Sequence, residues 1–346
     1  MTATLDLTRE RILAHRRRVG ALDARLPMGA ASLRTAAWAG LPDSMPRAAL
    51  LSIHARVEGA EPSSWEDPSL VQLWGPRFSV YVVPKKDLAV FSLGRLDEAG
   101  PSRRQAQDIA DRLARFLDGR RMRYDEAGAG LGMHPNGLRY AAPTGTVLIR
   151  WEGARLPVLW TVPAPEIDPR EARLELARRY LHVLGPGRAE GFAHWAGIGV
   201  PSGRAAFEGL AGELTRVRTP VGEAWVLASD EDGFRAEPGP TAPARLLPSG
   251  DTYFLLWGRD REPVVTDADR RGELWTSRVW PGGLLVDGEV AGTWRRANER
   301  LSIQPWRRLT NAERQSVEAE AASLPIPGLP GRIVVRWEDS RRMLDR

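Results

Sequence analysis

The side chains able to do chemistry are few. The 346 residues include no cysteine, which removes disulfides, zinc ribbons, iron–sulfur clusters and thiol nucleophiles. The five histidines are His15, His54, His134, His182 and His194. No two stand at the spacing that puts both imidazoles on one helix face, and no carboxylate cluster sits beside them, so neither a metal site nor a cofactor is expected. No G-x-S-x-G elbow is present, and the glycine-rich stretch from Gly128 to Gly137 matches no phosphate-loop pattern. What is left is a polar pair, Asp43 and Ser44, just before a helix that opens at Pro46. At that position a carboxylate and a hydroxyl can cap the free amides of the first turn, or hold water there. Arginine supplies nearly all the positive charge, because Lys85 and Lys86 are the only lysines among 49 basic residues. Its planar fork suits phosphate and guanine, although a GC-rich codon composition produces the same bias. Arg47, Arg77, Arg204, Arg295 and Arg296 are the candidate DNA contacts; solvated-surface or edge-protecting roles are the alternatives.

The elements that must position these groups read as an α+β chain. Thr8 caps a helix to about Val19, a second covers Ser32 to Trp38, and a third from Pro46 carries Leu50, Ile53, His54 and Val57 on one face. A strand at Phe78 to Val83 follows, and Pro84 with Asp87 opens a helix to Leu93. After the Gly100-Pro101 break, Ser102 to Leu117 has helical periodicity, and Val147 to Trp151 and Leu156 to Val162 pair around Glu152-Gly153. Asp168-Pro169 starts a helix through Leu184, a short helix covers Phe192 to Ala196, and Ser202 caps another from Arg204 to Leu214. The strands Leu214 to Thr219 and Glu223 to Ser229 turn at Pro220-Val221-Gly222. Helix, short helix, helix, hairpin is the winged helix-turn-helix order, with Arg204 on the recognition helix. Thr252 to Trp257 reads as a buried strand, Asp287-Gly288 as a hairpin turn, Asn311 to Leu324 as a helix, and Arg332 to Trp337 as a last strand. The expected organisation is tandem winged-helix units at 1–99, 100–166 and 167–230, a linker at 231–248, and a β-rich C-terminal domain at 249–346. Most of the 13 tryptophans, Trp74, Trp160, Trp195 and Trp257 among them, lie in apolar surroundings and are read as core, as is His194.

With 42% hydrophobic residues the chain can bury a sizeable core. Its apolar runs fall far short of the ~20 residues of a spanning helix, and the N-terminus lacks a signal-peptide pattern. A protein that does not enter membranes and works in the cytoplasm, on the nucleoid, is the expectation. The net charge of +5 moves the reading toward nucleic acid only modestly.

Several segments together resemble the bacterial winged-helix DNA-binding family that includes the azinomycin-resistance, crosslink-unhooking DNA glycosylase. They are Pro46-Arg47-Ala48-Ala49-Leu50-Leu51, Leu73 to Asp87, Ala177 to Leu181 with Phe192 to Gly197, Arg245-Leu246-Leu247-Pro248, and Val286-Asp287-Gly288 with Gly292 to Arg296. The resemblance implies tandem winged helices, a β-rich C-terminal domain, and excision of alkylated purines. The family's catalytic triplet, Gln-apolar-Gln or Gln-apolar-Asp, falls here on Pro42-Asp43-Ser44. Pro42 has no polar side-chain atom. Ser44 can orient water, and Asp43 can serve as base or electrostatic stabiliser of an oxocarbenium-like sugar.

Three readings stay open beside the glycosylase: a transcriptional regulator, a damage binder without the chemistry, and a scaffold that binds protein through its winged helices. A regulator needs a dimer on two half-sites, and no dimerisation helix is evident, so a monomer on duplex DNA is expected. Affinity for duplex DNA should fall about 10³-fold or more between ~50 and ~200 mM salt if six or more phosphates are contacted. Titration of a labelled duplex by fluorescence anisotropy checks this, and binding indifferent to salt would exclude the DNA reading.

Overall fold

The computed structural model describes residues 5–45, 47–151, 155–328 and 332–338. The expected helix start at Pro46 and hairpin turn at Glu152-Gly153 lie outside them. The chain opens with β1 (Leu5–Asp6) and α1 (Arg9–Val19), whose cap Thr8 accepts from the Arg11 amide. α2 (Ala30–Ala36), β2 (Leu41–Pro42), α3 (Ala48–Arg56), β3 (Leu70–Trp74), β4 (Val80–Pro84) and α4 (Leu88–Ser92) follow. The order β2-β4-β3 is antiparallel throughout. Pro42 is tolerated because β2 is an edge strand.

α5 (Pro101–Leu117), β5 (Met122–Arg123), α6 (Tyr124–Gly130), β6 (Val147–Arg150) and β7 (Val158–Thr161) build a second sheet, β5-β7-β6. Ile109, Leu113 and Leu117 of α5 are buried on Leu138, Ile149 and Leu159, and Trp74 and Val80 of the preceding sheet join the same core. The two units therefore share apolar contacts rather than only a tether.

α7 (Pro169–Leu184) is capped by the Asp168 carboxylate, which accepts from the amides of Arg170 and Glu171. α8 (Ala189–Ala196), α9 (Val200–Gly209), β8 (Leu214–Thr219), β9 (Gly222–Leu227) and α10 (Glu231–Arg235) complete this part. α9 starts after Gly199 with Pro201 in its first turn, so Ser202 lies inside the helix rather than capping it. β1 pairs in parallel with β8, Leu5 opposite Val217, and Leu7 and Ile12 are buried with Val226 and Phe234. Residues 5–19 thus pack on the third unit, β1 extending its sheet and Ile12 of α1 entering its core. Pairing across two hundred residues leaves no local trace.

β10 (Ala244–Leu247), α11 (Ala268–Leu274), β11 (Gly282–Val286), β12 (Glu289–Ala297), β13 (Arg300–Pro305), α12 (Asn311–Ala322) and β14 (Val334–Trp337) form the last domain, a five-stranded sheet in sequential order with α12 packed on it. Asp287 and Gly288 have φ values of 50° and 76°, the left-handed pair that a two-residue hairpin turn needs. Two expectations are corrected here. Residues 231–248 are not a linker throughout, because α10 begins the stretch and the fully buried strand β10 ends it. Residues 252–257 do not form a strand. Asp251 accepts from the Tyr253 amide, the Thr252 hydroxyl donates to the Gly40 carbonyl, and Thr252–Phe254 coils into a 3₁₀ turn. A buried apolar run looks the same to sequence in either form.

Among the described residues, no helix is long and apolar enough to cross a membrane. Within the expected linker the exposed run is Arg235 to Pro240, while Arg245 is buried. Brief trypsin treatment should therefore cleave after Arg235 well before Arg245, as peptide mass mapping over time would show; early cleavage at Arg245 would contradict the placement of β10.

Candidate active site

β2 delivers the polar pair to the start of α3. The Asp43 amide donates to the Val80 carbonyl at 2.7 Å, and the Ser44 hydroxyl accepts from the Val80 amide at 3.1 Å, so both residues are clipped to β4. The Asp43 carboxylate turns inward. Its Oδ1 accepts from the Ala49 amide in the first turn of α3 at 3.0 Å, the capping role open to it from sequence, and its Oδ2 accepts from the Gln72 side-chain amide at 2.6 Å. Gln72 also accepts from the Trp151 amide at 2.7 Å, which ties β3 to the chain leaving β6. Asp43 is 1% exposed. Burial raises its pKa to about 7; the amides of Ala49 and Gln72, and then the guanidinium groups of Arg47 and Arg150, pull in the opposite direction.

Ser44 faces outward, into a cleft of about 610 Å³ between the first two sheets. Trp74, Phe78 and Trp151 supply its aromatic walls, and Arg77 and Arg139 its charge. The Arg139 Nε is buried with no hydrogen-bond partner among the described residues. Arg77 and Phe78 are consecutive residues with left-handed φ, 57° and 56°. Gly197, which ends α8, permits that conformation to pack, since a Cβ there would lie 2.7 Å from the Arg77 amide nitrogen. The Arg77 guanidinium lies 4.7 Å from the Trp257 ring centre, a cation–π contact, and it forms no salt bridge with a carboxylate among the described residues.

The other predicted arginines are scattered. Arg47 has a φ of 66° and immediately precedes α3; its guanidinium and that of Arg150 lie 4.4 and 4.1 Å from the Trp65 ring centre. Arg204 pairs with Glu190 at 2.8 Å on the third unit. Arg295 and Arg296 donate to the carbonyls of Val279 and Asn298 and line a separate cleft of about 340 Å³ with Met45, Trp280 and Trp294. The structure thus unites Asp43, Ser44 and Arg77 and places Arg204, Arg295 and Arg296 elsewhere. Gln72, Arg139 and Trp151 were not legible as site residues. Gln72 had one signal, a polar side chain in the middle of the apolar strand Leu70–Trp74. Away from this cleft, His15, His182 and Asp230, distant from one another in sequence, each bring one ligand atom to within 4.8 Å of the others.

Three comparisons bear on this geometry. A family profile described as DNA glycosylase AlkZ-like matches residues 35–325. The interstrand DNA cross-link repair glycosylase of Streptomyces sahachiroi is 26% identical over 265 residues, covering 68% of this chain and 71% of that protein. The solved structure of the Streptomyces sahachiroi DNA glycosylase AlkZ superposes with a TM-score of 0.78 at 21% identity, over 96% of this chain and 100% of that one, and so shares its α+β fold.

Because the folded state raises the Asp43 pKa above its ordinary value of 3.8, the folded protein binds that proton more tightly than the unfolded chain. The resulting stability is full below about pH 4 and is lost as pH rises through about 7, at no more than about 1.4 kcal/mol per pH unit. Asp43→Asn removes the titration, so its Tm should be flatter than the parent's between pH 4 and 7. It should also be lower at pH 5, by about 1–3 kcal/mol of stability, since the new amide sets a donor against the Gln72 donor. Parallel pH series by differential scanning calorimetry check both; equal slopes would refute the raised pKa.

Proposed function

The chain belongs to the AlkZ-like DNA glycosylase family, and on that premise we propose that it is a repair enzyme that excises alkylated purines from duplex DNA at the Ser44 cleft. One observation carries the reading. Ser44 opens on a space walled by Trp74, Phe78 and Trp151 and charged by Arg77 and Arg139, with a buried Arg139 donor that has no acceptor among the described residues. Stacked aromatic faces suit an extruded base, and guanidinium groups suit the phosphates beside it. Extrusion costs a few kcal/mol and least at a damaged pair.

In this proposal the Ser44 hydroxyl orients a water toward the sugar C1′. The bond from C1′ to the purine nitrogen breaks, its electron pair stays with the purine, water oxygen takes its place on C1′, and the water's proton passes to solvent. A cationic alkylpurine leaves as a neutral base, so little acid assistance is needed. Asp43 has both oxygens occupied by donors within the protein and does not line the cleft. It acts as a positioning residue for the loop bearing Ser44. The helices and hairpins of the three units serve as winged helices that grip the duplex, and a single chain suffices because the cleft is built within one chain. We place this work on the nucleoid. The same engagement of Asp43, together with Pro42, which carries no polar side-chain atom, favours a second reading, a damage binder that lacks the chemistry.

Incubation with a duplex carrying N7-methylguanine, followed by chromatography for free base, separates the two. The enzyme reading expects release by the parent, and a loss of about 10²-fold in Ser44→Ala with DNA affinity unchanged. Retained, salt-sensitive binding without any release would establish the binder instead. Unchanged release by Ser44→Ala would move the chemistry away from this cleft.

A further inference from the structure

Far from the Ser44 cleft, three side chains from distant parts of the sequence converge beneath α10. His15 comes from α1, His182 from the last turn of α7, and Asp230 from the turn just before α10. The His15 Nε2 lies 3.1 Å from the His182 backbone carbonyl, which can only accept. That contact puts the ring proton on Nε2 and the lone pair on Nδ1. The Nδ1 atom is buried with no partner among the described residues, in a side chain that is 2% exposed. Stacking on Phe234, with ring centres 3.7 Å apart, holds the ring plane. Gly233 lies beside Nδ1 and spares it a side chain, because a Cβ there would sit 2.9 Å from it. On the other side, the His182 Nδ1 stands 2.9 and 3.0 Å from the two Asp230 oxygens.

We propose that His15, His182 and Asp230 hold one divalent cation of the zinc type, a structural ion that staples α1 and α7 to the turn leading into α10. Two imidazoles and one carboxylate are the donor set of zinc and its neighbours, whereas magnesium and calcium require oxygen. An imidazole that donates its remote N–H to a backbone carbonyl is the usual way a metal-bound histidine is oriented, and His15 has that partner already. The His182 side chain is 31% exposed, which leaves an entry path and room for water as the fourth ligand. A simple His182–Asp230 ion pair accounts for neither the orphaned Nδ1 nor the glycine beside it.

The test uses the untagged full-length chain, stripped with EDTA, exchanged into metal-free buffer and titrated with zinc chloride. One equivalent should remain after desalting, by elemental analysis, and Tm should rise by roughly 5 °C at a hundredfold excess over Kd. Magnesium should do neither. Cobalt(II) should give the visible absorption of a tetrahedral nitrogen–oxygen site. His182→Gln, on a partly exposed side chain, should lower zinc affinity at least about 10²-fold with the far-ultraviolet circular dichroism unchanged. Gly233→Ala, which alters no ligand, should lower it about 10-fold or more. No stoichiometric zinc in the folded parent, or zinc held equally by His182→Gln, would overturn the proposal.

Discussion

Helix α3 is held at both ends by buried aspartates that lie outside it, and the geometry around the cleft depends on that double anchorage. Asp43 grips the Ala49 amide at its start. At its end, the Arg56 guanidinium makes a forked pair with Asp251 at 2.7 and 2.8 Å, and the Ser52 hydroxyl donates to the same carboxylate at 2.6 Å. Asp251 is 1% exposed and Arg56 3%. Removing one partner of such a pair leaves a charge in an apolar interior, at a cost of about 3–5 kcal/mol. Asp251 thereby joins the first unit to the C-terminal domain, and Leu51 of α3 completes that domain's core.

From the Asp43 end the constraint passes to the second unit through Gln72. Its amide group is used on both sides, by Asp43 and by the Trp151 backbone, so β3 and the exit of β6 move as one body. The cleft lies across that seam, with Ser44 and Trp74 on one side and Arg139 and Trp151 on the other. A pocket made by two units has walls as rigid as the contact between them, and the shared core of Trp74, Val80, Ile149 and Leu159 supplies that rigidity.

Charge is distributed unevenly over the arginines. On the third unit they face carboxylates, Arg178 with Glu213, Arg204 with Glu190 and Arg216 with Glu223. Exposed pairs of this kind add little stability, but they cancel much of the field a phosphate would meet. Arg77 and Arg139 at the cleft contact aromatic rings instead, and neither has a salt-bridge partner among the described residues. The net charge of +5 therefore says little about how charge is distributed, which the pairing pattern shows.

Local rules sufficed where a short stretch determines its own conformation. Asp168-Pro169 opening α7, the Asp287-Gly288 turn between β11 and β12, and Thr8 before α1 stand where their capping and turn chemistry puts them, and Asp43 caps α3 as its position suggested. The α+β class and the family resemblance were legible for the same reason, since periodicity and turn residues are written residue by residue. Tertiary structure alone decided what depends on distant partners. It turned the Asp43 carboxylate inward to Gln72 and left Ser44 facing the cleft, seated β1 beside β8, coiled Thr252–Phe254 around Asp251, and brought His15 to His182 and Asp230. Burial and long-range hydrogen bonding set the direction and ionisation of a side chain, and neither is a property of its neighbours in sequence.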